Sequence, residues 1–131
     1  MSTRAMIGMR MPDGGVRAVY CHHDGYPTGV GAILGGWYKT PEQVESLLTL
    51  GDLSALGTNL VIDTIAYHRD QGEAFTPPRR YRNVNGYQKT RCILGADYLY
   101  LYDNGRWLLY GITSEDWIEL KVTMKAKNEN V

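Results

Sequence analysis

Hydrophobic and polar residues alternate with period two at both ends of this chain and follow a helical period between them. Residues 6–11, M-I-G-M-R-M, predict a strand with Ile7, Met9 and Met11 on one face. P-D-G-G supplies turn chemistry, since proline presets φ and the glycines tolerate positive φ. Val16–Cys21, V-R-A-V-Y-C, has the β-branched and aromatic content of a returning strand. Past a polar loop, Val30, Ile33, Leu34, Trp37 and Tyr38 recur at the spacing of an amphipathic helix, with Thr28 as its expected N-cap. Ala32, Gly35 and Gly36 form a small-residue face, read as a place of close approach by another backbone. Thr40-Pro41-Glu42-Gln43 is a strong start signal for a second helix: N-cap, proline at the first position and a capping-box glutamine. Val44, Leu47 and Leu48 are its buried stripe, and Gly51 ends it.

Leu53 and Leu56 are spaced to plug a core from a short turn or a single helical turn. L-V-I-D-T-I-A-Y has the content of a strand, whereas about Arg69 to Tyr81 reads as irregular because Pro77 and Pro78 cannot donate ladder hydrogen bonds. A short helix fits between Asn83 and Cys92. Tyr98–Tyr102, the turn D-N-G and Arg106–Ile112 read as a hairpin, and Asp116–Met124 as a third strand of a meander. The polar residues 125–131 are expected to fray. The whole predicts one α+β domain over residues 1–131, an antiparallel sheet of N-terminal hairpin plus C-terminal meander packed on two or three helices.

Composition narrows the function classes. Fourteen basic residues against fourteen acidic ones leave no net charge, which argues against broad electrostatic capture of nucleic acid and against an acidic mimic of it. Neutrality also removes repulsion between copies and leaves a homodimer open. No apolar run approaches the ~20 residues of a membrane helix, and M-S-T-R-A-M-I-G lacks a secretory apolar core. Two cysteines, Cys21 and Cys92, are too few for a disulfide scaffold, so the expectation is a reduced, cytoplasmic protein without a membrane partner.

Y-C-H-H-D-G-Y-P at 20–27 and G-D-L-S-A-L-G at 51–57 together resemble a family of small uncharacterised phage and prophage proteins. A-Y-H-R-D-Q-G-E at 66–73 and A-D-Y-L-Y-L-Y-D-N-G-R-W at 96–107 are similar to further parts of it. His23 stands where that family's motif is expected to carry tryptophan, so the position does not suit a metal ligand. The resemblance transfers no activity. It implies a mobile-element context, in which small proteins act on host machinery, including as inhibitors of CRISPR or other defences.

The candidate chemistry lies in Cys21, His22, His23 and Asp24. A metal centre from these, with His68 as a fourth ligand, conflicts with the alternation of side chains along a strand and lacks zinc spacing. A thiolate nucleophile needs an adjacent base and partial exposure, which proximity in sequence does not establish. Asp24-Gly25 reads as turn chemistry, and H-R-D at 68–70 matches a kinase catalytic loop in letters only. No phosphate-binding glycine loop is present, and no cofactor or metal is expected. Tyr98, Tyr100 and Tyr102 share one strand face, which is either covered by a helix or left partly wet, and Arg79, Arg80, Tyr81 and Arg82 lie nearby. Tyrosine and arginine are the residues of binding hot spots, so these seven are the expected binding residues. The expected function is non-catalytic binding to a host protein or defence complex, as a phage-type accessory factor of anti-CRISPR kind. A small Cys/His-dependent hydrolase or transferase and a nucleic-acid-binding accessory protein are the alternatives, the latter through the basic stretch 79–91.

Overall fold

A computed structural model describes residues 2–111 and 116–120. The fold class is α+β. Among the described residues, strands β1 (Ala5–Arg10), β2 (Val16–Cys21), β3 (Leu53–Ala55), β4 (Ile65–Ala66), β6 (Tyr98–Asp103), β7 (Arg106–Tyr110) and β8 (Ile118–Glu119) lie in the order 4-3-2-1-6-7-8. An eighth strand, β5 (Arg79–Tyr81), shares the outer edge of β2 with β3. The predicted hairpins form: β1 pairs antiparallel with β2, and β6 with β7 around Asn104-Gly105, both at positive φ.

The join between these hairpins is parallel, with β1 beside β6, and β3 also lies parallel to β2. The sheet is therefore mixed rather than purely antiparallel. A parallel neighbour needs a long crossover, and everything from Pro27 to Leu94 supplies it. Strand β6 consequently sits in the middle of the sheet and is covered on both faces, which explains its run of buried residues from Leu99 to Tyr102.

One face carries α1 (Ala32–Trp37), entered through a π-helical turn at Pro27–Gly31, and α2 (Pro41–Leu48). Val30, Leu34, Tyr38, Val44, Leu47 and Leu48 pack there on Ile7, Val19, Cys21, Tyr100, Tyr102, Trp107 and Leu109. The capping box of α2 forms as its sequence predicts: Gln43 N–H donates to Thr40 Oγ1, and Gln43 Oε1 accepts from Thr40 N–H. Thr28 caps nothing; the helical path begins at Pro27 after Tyr26, without a side-chain cap. The close approach expected at Gly35 and Gly36 falls at Gly31, where a Cβ would lie 3.2 Å from the Tyr100 ring. Among the described residues a Cβ on Gly36 would touch nothing.

The other face is covered by α4 (Val84–Gln88) and Trp117, and α5 (Thr90–Leu94) follows with Thr90 alone buried. Tyr87 is fully buried, and its ring lies on Gly8 of β1, so close that a Cβ there would meet Cζ at 2.9 Å. Its hydroxyl donates to the Tyr100 carbonyl at 2.7 Å.

Leu53 and Leu56 do plug the first core, but from a strand and its continuation rather than a helical turn. The segment expected to be irregular holds more order: Tyr67–Gln71 is a short helix, α3, and Arg79–Tyr81 is β5. Pairing with β2, distant in sequence, decides β5, whereas the side chains of α3 bond within residues 64–73. The outer part of the third meander strand and the tail lie outside the described residues.

Candidate binding surface: the motif corner and an apolar finger

Three of the four quoted motifs meet at one corner of the sheet. His22 and His23 N–H donate to the Leu53 and Ser54 carbonyls, and Tyr67 N–H donates to the Asp52 carbonyl. Asp52 accepts the Tyr20 N–H at 3.0 Å and a two-pronged contact from Arg79 at 2.9 and 3.2 Å. Glycines let these chains touch: a Cβ on Gly25 would sit 2.8 Å from both Ala5 Cβ and the Thr3 carbonyl.

Within this corner the four chemistry-bearing side chains diverge. Cys21 is fully buried, its thiol directed to the His23 carbonyl at 3.7 Å, and burial pushes its pKa up to about 12. A thiol so placed stays protonated and shielded, the opposite of an activated nucleophile. His22 points to the other face, where Nδ1 shares a 2.8 Å hydrogen bond with the Tyr20 hydroxyl. Burial, then His23 and Arg4, lower its pKa. His23 is exposed, bonded through Nδ1 to Ser2 Oγ and packed edge-on against His22 at 4.6 Å. Asp24 takes a left-handed φ of 58° and accepts the Tyr26 hydroxyl. Among the described residues no three His, Cys, Asp or Glu side chains converge as metal ligands. H-R-D at 68–70 is structural: His68 Nδ1 bonds the Glu73 carbonyl, Arg69 donates to the Thr64 carbonyl, and Asp70 accepts the Ala66 N–H. The last two contacts occupy the Ala66 N–H of β4 and the Thr64 carbonyl just before that strand, at one side of the sheet.

The tyrosine ladder is not displayed. Tyr100 and Tyr102 are 0% and 4% exposed beneath α1 and α2, and Tyr98 is half-buried. The reason lies in the parallel join, which makes β6 central. Their hydroxyls staple loops to the sheet: Tyr100 donates to the Gly25 carbonyl and Tyr102 to the Lys39 carbonyl, while Trp107 Nε1 donates to the Tyr38 carbonyl. Of the expected basic anchors, Arg79 is engaged by Asp52, and Tyr81 is half-buried against Tyr87. Arg80 and Arg82 are exposed.

Sequence reasoning missed a different surface. Between β3 and β4 the chain makes a tight finger, residues 58–64, held by its own side chains. Asp63 accepts Thr58 N–H, Thr58 Oγ–H and Asn59 N–H at 2.8 to 3.2 Å. Asn59 Oδ1 accepts Val61 and Ile62 N–H at 2.8 and 3.0 Å. Thr64 Oγ1, itself buried, accepts Gly57 N–H and donates to the Asn59 carbonyl, and the Tyr38 hydroxyl donates to the Gly57 carbonyl. At the tip, Val61 and Ile62 are each 82% exposed, with Ile65 at 41% behind them. The signal was present in L-V-I-D-T-I-A, where one aspartate divides aliphatics without strand alternation.

Comparison with protein-family models, with curated proteins and with solved structures finds no match to this chain. Among the described residues no helix is long and apolar enough to cross a membrane.

Proposed function

We propose that this protein works by non-catalytic binding to a partner protein, as a phage-type or prophage-type accessory factor in the host cytoplasm. Occlusion of a bacterial defence complex, in the manner of an anti-CRISPR protein, is the specific form. The observation that carries binding is the finger: two aliphatic side chains held almost wholly in water by a closed set of hydrogen bonds. Exposed apolar groups on a rigid support serve recognition, because little conformational entropy is lost when they are covered. The buried, protonated state of Cys21 supports binding over thiol catalysis. The phage context rests on the motif resemblance.

Affinity capture from a bacterial lysate, followed by reconstitution with the purified partner, tests the reading. The expected result is a complex of fixed stoichiometry that survives about 1 M salt, where charges are screened beyond about 3 Å, and that Cys21→Ser leaves intact. A salt-labile complex with nucleic acid, or turnover of a small molecule abolished by Cys21→Ser, overturns it.

A further inference from the structure

Resting on that binding reading, we infer that residues 58–64 are the anchor itself: Val61 and Ile62 insert into a preformed apolar pocket of a partner protein. Three features of the finger select this occupant.

The first is rigidity. Two side-chain acceptors, Asp63 and Asn59, take five donors from within the loop, and Tyr38 and Thr64 fix its base at Gly57. A Cβ on Gly57 would collide with Asp63, so the finger closes tightly on its own stem. Val61 and Ile62 contribute their backbone N–H groups to this frame, while their side chains point away from it. By contrast Ile93, 77% exposed, stands in the last turn of the five-residue α5.

The second feature is charge. Residues 57–66 carry a single ionisable group, Asp63, whose carboxyl the Asn59 amide, ahead of the opposing effect of desolvation, holds below its ordinary range. Loops that insert into bilayers recruit lysine and arginine toward anionic headgroups, and nucleic-acid surfaces need the same charges or stacking aromatics. The finger has none of these groups.

The third feature is area. Val61, Ile62 and Ile65 offer on the order of 300 Å² of apolar surface, against roughly 800 Å² per partner in a stable complex. Two convex fingers packed tip to tip, which holds the surrounding surfaces apart, therefore fall short of a stable dimer. Extension of β4 by a second copy is opposed as well, since Arg69 and Asp70 occupy the Thr64 carbonyl and the Ala66 N–H. A small convex apolar tip is complementary to a concave pocket, where it acts as the buried centre of an interface whose polar rim comes from the surrounding loops.

A photo-crosslinking amino acid placed at position 62, and in separate proteins at 93 and 80, tests this in bacterial lysate and with vesicles of anionic phospholipid. The expected result is one host-protein adduct from position 62. Binding of that purified protein should then weaken about a hundredfold in Val61→Asp/Ile62→Asp, with the melting temperature unchanged. A self-adduct or lipid adduct from 62, or host-protein adducts only from 93 or 80, sinks the finger assignment while leaving protein binding standing. Absence of any host-protein adduct from all three positions overturns both.

Discussion

Asp52 grips Arg79 with both carboxylate oxygens, at 2.9 and 3.2 Å, and accepts the Tyr20 N–H through one of them. This side chain takes the place of a strand. The outer edge of β2 pairs with β5 at Val16–Ala18 and with β3 at Cys21, and Tyr20 lies in the gap between them. Asp52→Ala leaves a backbone donor and a partly buried guanidinium without partners. The expected loss is about 2 kcal/mol, checked by chemical denaturation. Asp52→Asn keeps an oxygen for Tyr20 and should lose less.

Cys21 and Cys92 should differ sharply toward a thiol reagent. Cys92 is exposed and Cys21 fully buried. One thiol per chain is expected to react promptly in the native protein, and the second only after denaturation. Prompt reaction of two would place Cys21 in solvent and reopen thiol chemistry.

Alkaline pH should weaken the fold. Burial raises Cys21 from its ordinary 9.0 to about 12, and burial likewise raises Tyr87 and Tyr100 above their ordinary 10.0. The neutral forms are favoured in the folded state, so the unfolded chain releases these protons first. Their stabilisation is complete below about pH 9 and declines as pH rises toward 12. Thermal melts across this range should show the decline, and Cys21→Ala should flatten its portion between pH 9 and 10.

Gly8→Ala should destabilise by about 1–3 kcal/mol through overpacking, since the new methyl meets the Tyr87 ring at 2.9 Å and that ring is fully enclosed. Urea denaturation gives the measurement. The same change at Gly36, whose Cβ would meet nothing among the described residues, should be neutral or slightly stabilising.

Asp70→Ala and Arg69→Ala uncover the Ala66 N–H of β4 and the Thr64 carbonyl before it, on either side of exposed Ile65. Unguarded strand edges recruit further strands. Sedimentation should show concentration-dependent growth of larger species relative to the unaltered protein, at pH values where that protein shows none.

Local chemistry was legible from the sequence. The capping box at Thr40 and Gln43, the Asn104-Gly105 turn, both hairpins and the α2 stripe each depend on residues within a few positions of one another. The α+β class followed from them. Whether the tyrosine face is displayed or covered was not legible, because a strand's exposure depends on its neighbours. Tyr98-Leu99-Tyr100-Leu101-Tyr102 reads the same as an edge or a central strand. The buried finger stem likewise depends on Tyr38, distant in sequence.

The amino-acid order by itself determined the two hairpins and the start of α2, because caps, turns and periodicity act over one or two turns of chain. Tertiary structure alone decided that β1 lies parallel to β6, and with it which apolar side chains were enclosed and which left in water. That choice belongs to the packing of two faces at once: α1 and α2 over Tyr100 and Tyr102, and Tyr87 over Gly8. The tyrosines became staples for the loops, and the aliphatic tip at Val61 and Ile62 was left in water.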